Sequence, residues 1–177
     1  VATSFRCQDY IDNRHPNYVG DVGIAPNPEL ATLVAKSDCI LVLGARLGEM
    51  TSGGYELFDT PNPRQKIIHI HADPNEIGRV YRPEIGLACQ SAEFLSTAID
   101  LTAGQSAAPP AAPRAAYERW QQPFQTPGAV KMEQVITHAS EVLPHDAIIT
   151  NGAGNYAGWL HRYYCYKSYR TQLAPTS

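Results

Sequence analysis

An α/β fold, a doubly wound parallel sheet followed by the start of a second α/β unit, is predicted by three features of this 177-residue chain. Two apolar runs, Cys39-Ile-Leu-Val-Leu43 and Lys66-Ile-Ile-His-Ile-His71, are strand-sized and lack the alternation of a half-exposed sheet, as expected of parallel strands covered on both faces. Helix-sized segments accompany these runs, so parallel strands joined by right-handed crossovers are the simplest arrangement. A stretch of Ala, Pro, Gly and Ser at residues 102–113 then precedes a further helix and strand pattern.

Residues 1–7 are rich in β-compatible types and are expected to form a strand of the main sheet. Residues 9–28 are crowded with Asn, Pro, Gly and Asp and read mostly as loop. Asn27 then offers a helix cap, Pro28 the first helical position and Glu29 a charge suited to the positive end of the dipole. Leu30, Leu33 and Val34 follow at helical spacing, and the helix should stop near Ser37. Strand 39–43 closes on Gly44, and strand 66–71 leads into Asp73-Pro74-Asn75-Glu76. A shorter strand is expected at about 87–90, before a helix over 91–101. Helical patterns resume at 114–122 and 130–143, a short buried strand at 147–150 ends in Asn151-Gly-Ala-Gly-Asn155, and 156–164 should be helical. The resulting plan is a first domain over 1–101, a linker over 102–113 and a second, unfinished α/β unit over 114–177.

Composition narrows the function. A net charge of -3 with Lys and Arg scattered singly argues against nucleic acid as the main partner, because phosphate neutralisation needs clustered cations. No apolar run approaches the ~18 residues of a membrane span. Cys7, Cys39, Cys89 and Cys165 lie far apart, without metal-type spacing, and read as reduced core residues. No secretory leader pattern opens the chain, so the cytoplasm is the expected location. The start without Met and the end without a helix or polar tail suggest a piece of something longer. A small-molecule ligand is the better expectation.

Ligands of open parallel sheets bind outside the carboxyl ends of the strands. Three such ends carry candidates. Gly44 and Arg46 follow the first apolar strand, where Arg46 could face a phosphate. Asp73 follows the second, placed as an acceptor for a ribose hydroxyl or an adenine edge. The third is Asn151, Gly152, Gly154 and Asn155, opening a helix. Against each stands the plain need of a strand-to-helix turn for glycine, and neither GxGxxG nor GxxxxGK[ST] is present. His69 and His71 share a strand face, but packing explains them better than a metal, and no metal-ligand set is assigned. Asp9 and Asp12, or Asp21 near His15, sit in a loop that could line a cleft, but loop acids are usually solvated, so no catalytic residue is assigned. Trp159 and Tyr163, at i and i+4, should pack on a core or subunit interface rather than form a substrate wall.

Five segments together carry a family likeness: Phe5-Arg-Cys-Gln-Asp9, His15-Pro-Asn-Tyr-Val-Gly20, Leu41-Val-Leu-Gly-Ala-Arg-Leu-Gly-Glu49, Ile68-His-Ile-His-Ala-Asp-Pro-Asn-Glu-Ile-Gly78 and Ile149-Thr-Asn-Gly-Ala-Gly-Asn155. In this order and spacing they resemble the thiamine diphosphate-dependent enzymes of the acetolactate synthase type. The resemblance implies a parent of three α/β domains, with residues 1–101 most of a Rossmann-like central domain and residues 114–177 the start of the diphosphate-binding domain. It implies that Asn151, Gly152, Gly154 and Asn155 contact the cofactor diphosphate. The activating glutamate would belong to an earlier domain, and the magnesium-holding Gly-Asp-Gly segment would follow Ser177. FAD is held by the central domain of some members. Here His71 replaces the usual Asp and no second Arg closely follows Arg46, which weighs against FAD.

The activity implied for the parent is decarboxylation of a 2-oxo acid and carboligation, with thiamine diphosphate and magnesium as cofactors and a homodimer or homotetramer as assembly. The chain alone is expected to be inactive. A free-standing FAD- or NAD-type nucleotide-binding module, or a structural or interaction domain, are the alternatives.

Overall fold

The computed structural model describes residues 1–104 and 108–175. The chain is α/β with parallel strand pairing throughout the described sheets. It divides into two compact units, Ala31–Ala108 and a second made of Val1–Leu30 with Pro109–Ser177.

The unit Ala31–Ala108 is built on a three-stranded parallel sheet of β3 (Cys39–Leu43), β4 (Lys66–His71) and β5 (Ile85–Ala88), in that spatial order. The bounds of β3 and β4 coincide with the two apolar runs. Helix α1 (Pro28–Lys36) leads into β3, started as anticipated by Asn27, whose Oδ1 accepts from the Glu29 N–H at 3.0 Å. Helix α2 (Ser91–Leu101) follows β5, its Glu93 carboxylate accepting from the Gln90 N–H at 3.1 Å. Val42, Phe58, Ile67 and Tyr81 form the core, with Phe58 and Tyr81 edge to face at 5.3 Å.

Several expectations are corrected here. Strand β5 starts two residues earlier than anticipated, after Pro83, which has no N–H for the ladder, and Gly86 is needed because a Cβ there would meet Ile77 Cγ2 at 2.5 Å. Residues 44–65, between β3 and β4, are irregular rather than helical. The sheet is not covered on both faces: Leu41, Ile85 and Leu87 are 48%, 47% and 42% exposed. Cys39 is exposed and all four cysteines are free thiols, so Cys39 is not a core residue.

The other unit holds two short parallel pairs: β1 (Thr3–Ser4) with β2 (Asp21–Val22), and β6 (Ile149–Thr150) with β7 (Gln172–Leu173). The opening segment therefore pairs with residues 21–22 and does not join the three-stranded sheet, because its bonds run to Gly20 and Val22 carbonyls. Helices α3 (Ala111–Trp120), α4 (Met132–Val142) and α5 (Ala157–Tyr163) complete it. Helix α3 begins three residues inside the expected linker, with Pro113 tolerated in its first turn. Residues 105–107 of that linker lie outside the described residues.

Side-chain bonds to backbone tie residues 1–30 to the chain's later part. Buried Asp9 Oδ2 accepts from the N–H of Thr171 at 2.9 Å and of Gln172 at 3.1 Å. Buried Asn13 donates its N–H to the Tyr166 carbonyl and accepts the Tyr166 N–H on Oδ1, both at 2.8 Å. Arg114 Nη1 donates to the carbonyls of Asn13 and Tyr18 at 2.8 and 3.0 Å. These bonds explain the packing of residues 1–30 with 109–175, which the sequence domains 1–101 and 114–177 do not anticipate.

Candidate functional site

Two cavities, one in each unit, contain residues that the sequence offered as ligand contacts. In the unit that contains α5, strand β6 ends at Thr150 and the Asn151 N–H donates to the Leu173 carbonyl at 3.2 Å, fixing the start of the turn. Helix α5 begins at Ala157, where the Ala157 N–H returns to the Gly154 carbonyl at 2.9 Å. Between them the N–H groups of Gly152, Ala153, Gly154 and Asn155 donate to no acceptor among the described residues. A β-turn-helix junction with free N–H groups suits an anion.

The turn lines a cavity of about 420 Å³ whose walls are Phe5, Ile24, Trp120, Phe124, Trp159 and Tyr163, a size within the ~300–1,000 Å³ of small-molecule sites. Trp159 and Tyr163 thus form a wall of this cavity, although packing was the favoured expectation. Arg162 Cζ lies over the Trp120 ring, 3.6 Å from its centroid, and 4.7 Å from that of Phe124, with Arg162 Nε donating to the Trp120 carbonyl at 2.8 Å. No carboxylate pairs with Arg162 among the described residues. Three buried polar atoms of lining residues, Asn151 Oδ1, His161 Nδ1 and Tyr163 Oη, have no hydrogen-bond partner.

Two titratable groups border this space. Asp21, read from sequence as a solvated loop acid, is on β2 and accepts from Gln8 Nε2 at 2.7 Å; burial pushes its carboxyl up to about 6, against the lowering effect of that bond. His161 packs edge to face on Phe5 at 5.5 Å, and burial lowers its pKa. Phe5, Trp120, Phe124 and Arg162 were not singled out as ligand-lining from sequence. Their spacing carries no motif; the one available signal was that 5–9 and 15–20 belong to the same likeness as 149–155.

The glycines have a second tenant. A Cβ on Gly152 would collide with the Tyr156 hydroxyl, and one on Gly154 with the Tyr156 ring. Tyr156 is 60% exposed, so the ring can turn into water and leave the turn open. The residues therefore fit a diphosphate, provided that ring moves.

The second cavity, about 240 Å³, lies at the carboxyl ends of β3 and β4 and includes Arg46, Glu76 and Arg79. Of the other sequence candidates, Gly44 takes φ +65° and gives its N–H to the Ile70 carbonyl at 2.8 Å, and a Cβ there would meet Ser91 Oγ at 2.7 Å; it serves the turn and the approach of α2. Asp73 Oδ1 accepts from the N–H and Nδ2 of Asn75 at 2.9 and 2.8 Å, which holds its pKa below the usual value, and it does not line the cavity. His69 is buried and donates from Nε2 to the Ala45 carbonyl at 3.0 Å, and burial lowers its pKa against the raising effect of that bond; His71 Nδ1 accepts the Asp73 N–H at 3.0 Å. Among the described residues no set of three His, Cys, Asp or Glu side chains converges on a metal position. No helix among them is long and apolar enough to cross a membrane.

The sequence profile of the thiamine pyrophosphate enzyme central domain matches residues 1–98, more than half of the chain. The chain belongs to that family. Among similar proteins, acetolactate synthase 1 of Oryza sativa subsp. japonica is 29% identical over 80% of this chain and 23% of its own length. The large subunit of acetolactate synthase isozyme 1 of Escherichia coli is 26% identical over 85% of this chain and 26% of its own. The acetolactate synthase large subunit of Corynebacterium glutamicum is 24% identical over 98% and 28%. The chain thus spans about a quarter of the length of the curated relatives it matches. The profile match crosses the division between the two compact units, so its residues 1–30 stand in the unit that carries the glycine turn.

Proposed function

We propose that this chain is part of a thiamine diphosphate-dependent 2-oxo acid decarboxylase and carboligase of the acetolactate synthase type, and that residues 151–155 receive the cofactor's diphosphate. The observation that carries the site is the run of free N–H groups at 152–155 beside a largely apolar cavity. Family membership carries the cofactor class. FAD or NAD binding by a free-standing module is not favoured.

Bound there, the cofactor supplies the electron sink that lets a 2-oxo acid lose carbon dioxide. This chain's part is binding and orientation. The N–H groups of Gly152, Ala153, Gly154 and Asn155 donate to diphosphate oxygens. Phe5, Trp120, Phe124 and Trp159 exclude water, which strengthens each polar contact in the cavity. Four charge-assisted N–H bonds at roughly 1.5–3 kcal/mol each are of the same size as the ~4–15 kcal/mol cost of immobilising a ligand, so these contacts alone hold the cofactor weakly. Magnesium and the activating carboxylate come, in this reading, from segments outside these residues, and residues 1–177 alone release no carbon dioxide. The working form is a homo-oligomer in the cytoplasm.

The test is the protein expressed from its full gene, incubated with pyruvate, thiamine diphosphate and magnesium. Carbon dioxide release and a ligated hydroxy-oxo acid, both dependent on the cofactor, are expected. No release of carbon dioxide from pyruvate or from longer 2-oxo acids would overturn the reading.

A further inference from the structure

The cavity at the ends of β3 and β4 stands where an α/β sheet offers a nucleotide its phosphate site, and two arginines reach it. We infer that this cavity is closed to FAD and to other diphosphate-bearing nucleotides, because Glu76 sits as an internal anion between Arg46 and Arg79 where a phosphate would sit.

Glu76 Oε2 lies 3.1 Å from Arg46 Nε, and Glu76 Oε1 lies 2.7 Å from Arg79 Nη1. The Glu76 side chain is 5% exposed, while those of Arg46 and Arg79 are 67% and 63% exposed. The acid is therefore the fixed inner element, and the two cations fold over it from the rim. Each carboxylate oxygen takes one guanidinium, the arrangement that a phosphate's oxygens would demand of the same pair. A nucleotide could recruit Arg46 or Arg79 only by stripping Glu76 of its partners and leaving a buried carboxylate unpaired. Charge gives no compensation. Arg46 and Arg79 are matched among the lining residues by Glu49 and Glu76, so the cavity offers an incoming diphosphate no net positive field.

Two further nucleotide contacts are engaged at least in part: the Gly44 N–H, the first donor after β3, is held by the Ile70 carbonyl, and Oδ1 of Asp73, the residue expected to meet a ribose, takes two bonds from Asn75. At about 240 Å³ the space also falls below the ~300–1,000 Å³ of ordinary small-molecule sites, and FAD is among the larger ligands. FAD is what the resemblance implies for some central domains; this one answers its own arginines from within. The inference does not depend on the diphosphate reading of residues 151–155, which belong to the other unit.

The experiment titrates FAD, by fluorescence polarisation, and ADP, by calorimetry, into the protein from its full gene, with thiamine diphosphate present throughout to keep the two readings apart. The unaltered protein should bind neither ligand saturably below about 1 mM. Saturable micromolar binding of FAD would overturn the inference, whatever happens at the thiamine diphosphate site. Glu76→Gln keeps the side chain's size and releases both arginines, and because these are exposed the fold does not depend on their pairing. It should gain ADP affinity by about tenfold or more, and Arg46→Ala added to it should remove the gain. A folded Glu76→Gln protein, with an unaltered melting curve and no gain for ADP, would show that Glu76 is not what closes the cavity.

Discussion

The two cavities contain the same kinds of residue, a turn with glycine, an arginine and a carboxylate, and use them in opposite ways. In the strand-end cavity of Ala31–Ala108, arginine and acid meet each other: Glu76 is clamped by Arg46 and Arg79, and Gly44 and Asp73 serve local turns. In the cavity beside residues 151–155 the groups stay apart. Arg162 rests on aromatic rings, Asp21 bonds an amide, and the N–H groups of the turn have no acceptor among the described residues. An arginine after a parallel strand is thus evidence for an anion only once its acid partner has been located. Both units hold an apolar cluster, Val42, Phe58, Ile67 and Tyr81 in one and Leu160, Tyr164 and Tyr166 in the other, and they differ in that the second adds buried acceptors gripping backbone N–H groups.

That last difference can be broken most forcefully at Asp9. Asp9→Ala removes the acceptor of two N–H groups, and bonds to a charged acceptor contribute roughly 1.5–3 kcal/mol each, so a loss of about 3–6 kcal/mol is expected. Hydrogen exchange should show it as lost protection in residues 1–30 and 109–175, with the ladder of β3 and β4 still protected. Equal loss in both units would mean that they do not hold separately.

A medium effect is expected at Asp21. Its pKa is about 6 in the fold and ~3.9 in an unfolded chain, so between those values the native state holds more of the proton and stability falls as pH rises through the window. The loss is complete above about pH 7. Asp21→Asn can still accept from Gln8 and should raise stability at pH 7–8 by up to about 3 kcal/mol while flattening the pH 4–6 slope. Chemical denaturation across that range is the check, and an unchanged slope would place the titration elsewhere.

The smallest effect concerns the glycines. A methyl on Gly154 meets a ring that is 60% exposed and free to leave, and the residue's φ is not positive, so Gly154→Ala should cost under about 1 kcal/mol. Tyr156→Ala should cancel that cost in a double-mutant cycle read by thermal melting. A larger cost that persists without Tyr156 would mean that the backbone itself demands glycine.

Much of the fold was legible because it follows from local chemistry. The apolar runs at 39–43 and 66–71 are the observed strands, and Asn27-Pro28-Glu29 caps α1 as its residue types require. The partners of residues 1–7 were not legible. A two-residue pair such as β1 with β2 has no periodicity, and the bonds of Asp9 and Asn13 join positions more than 150 residues apart. At the sites, the turn 151–155 could be read from Gly-Ala-Gly after a strand. The fate of Arg46 could not, because Glu76 lies 30 positions away in a run that looks like an ordinary loop. Asp21 was misread for the same reason: nothing in Gly-Asp-Val-Gly announces burial.

The claim that residues 151–155 receive the diphosphate is tested most directly by thiamine diphosphate affinity in the full-gene protein carrying Tyr156→Ala, with and without Gly154→Val. Removing the ring first clears the three atoms nearest to an added Cβ, all of which belong to Tyr156. Calorimetry with magnesium should show affinity falling by about 100-fold or more, some 2.7 kcal/mol. An unchanged dissociation constant in a folded Gly154→Val protein would contradict the assignment of this turn.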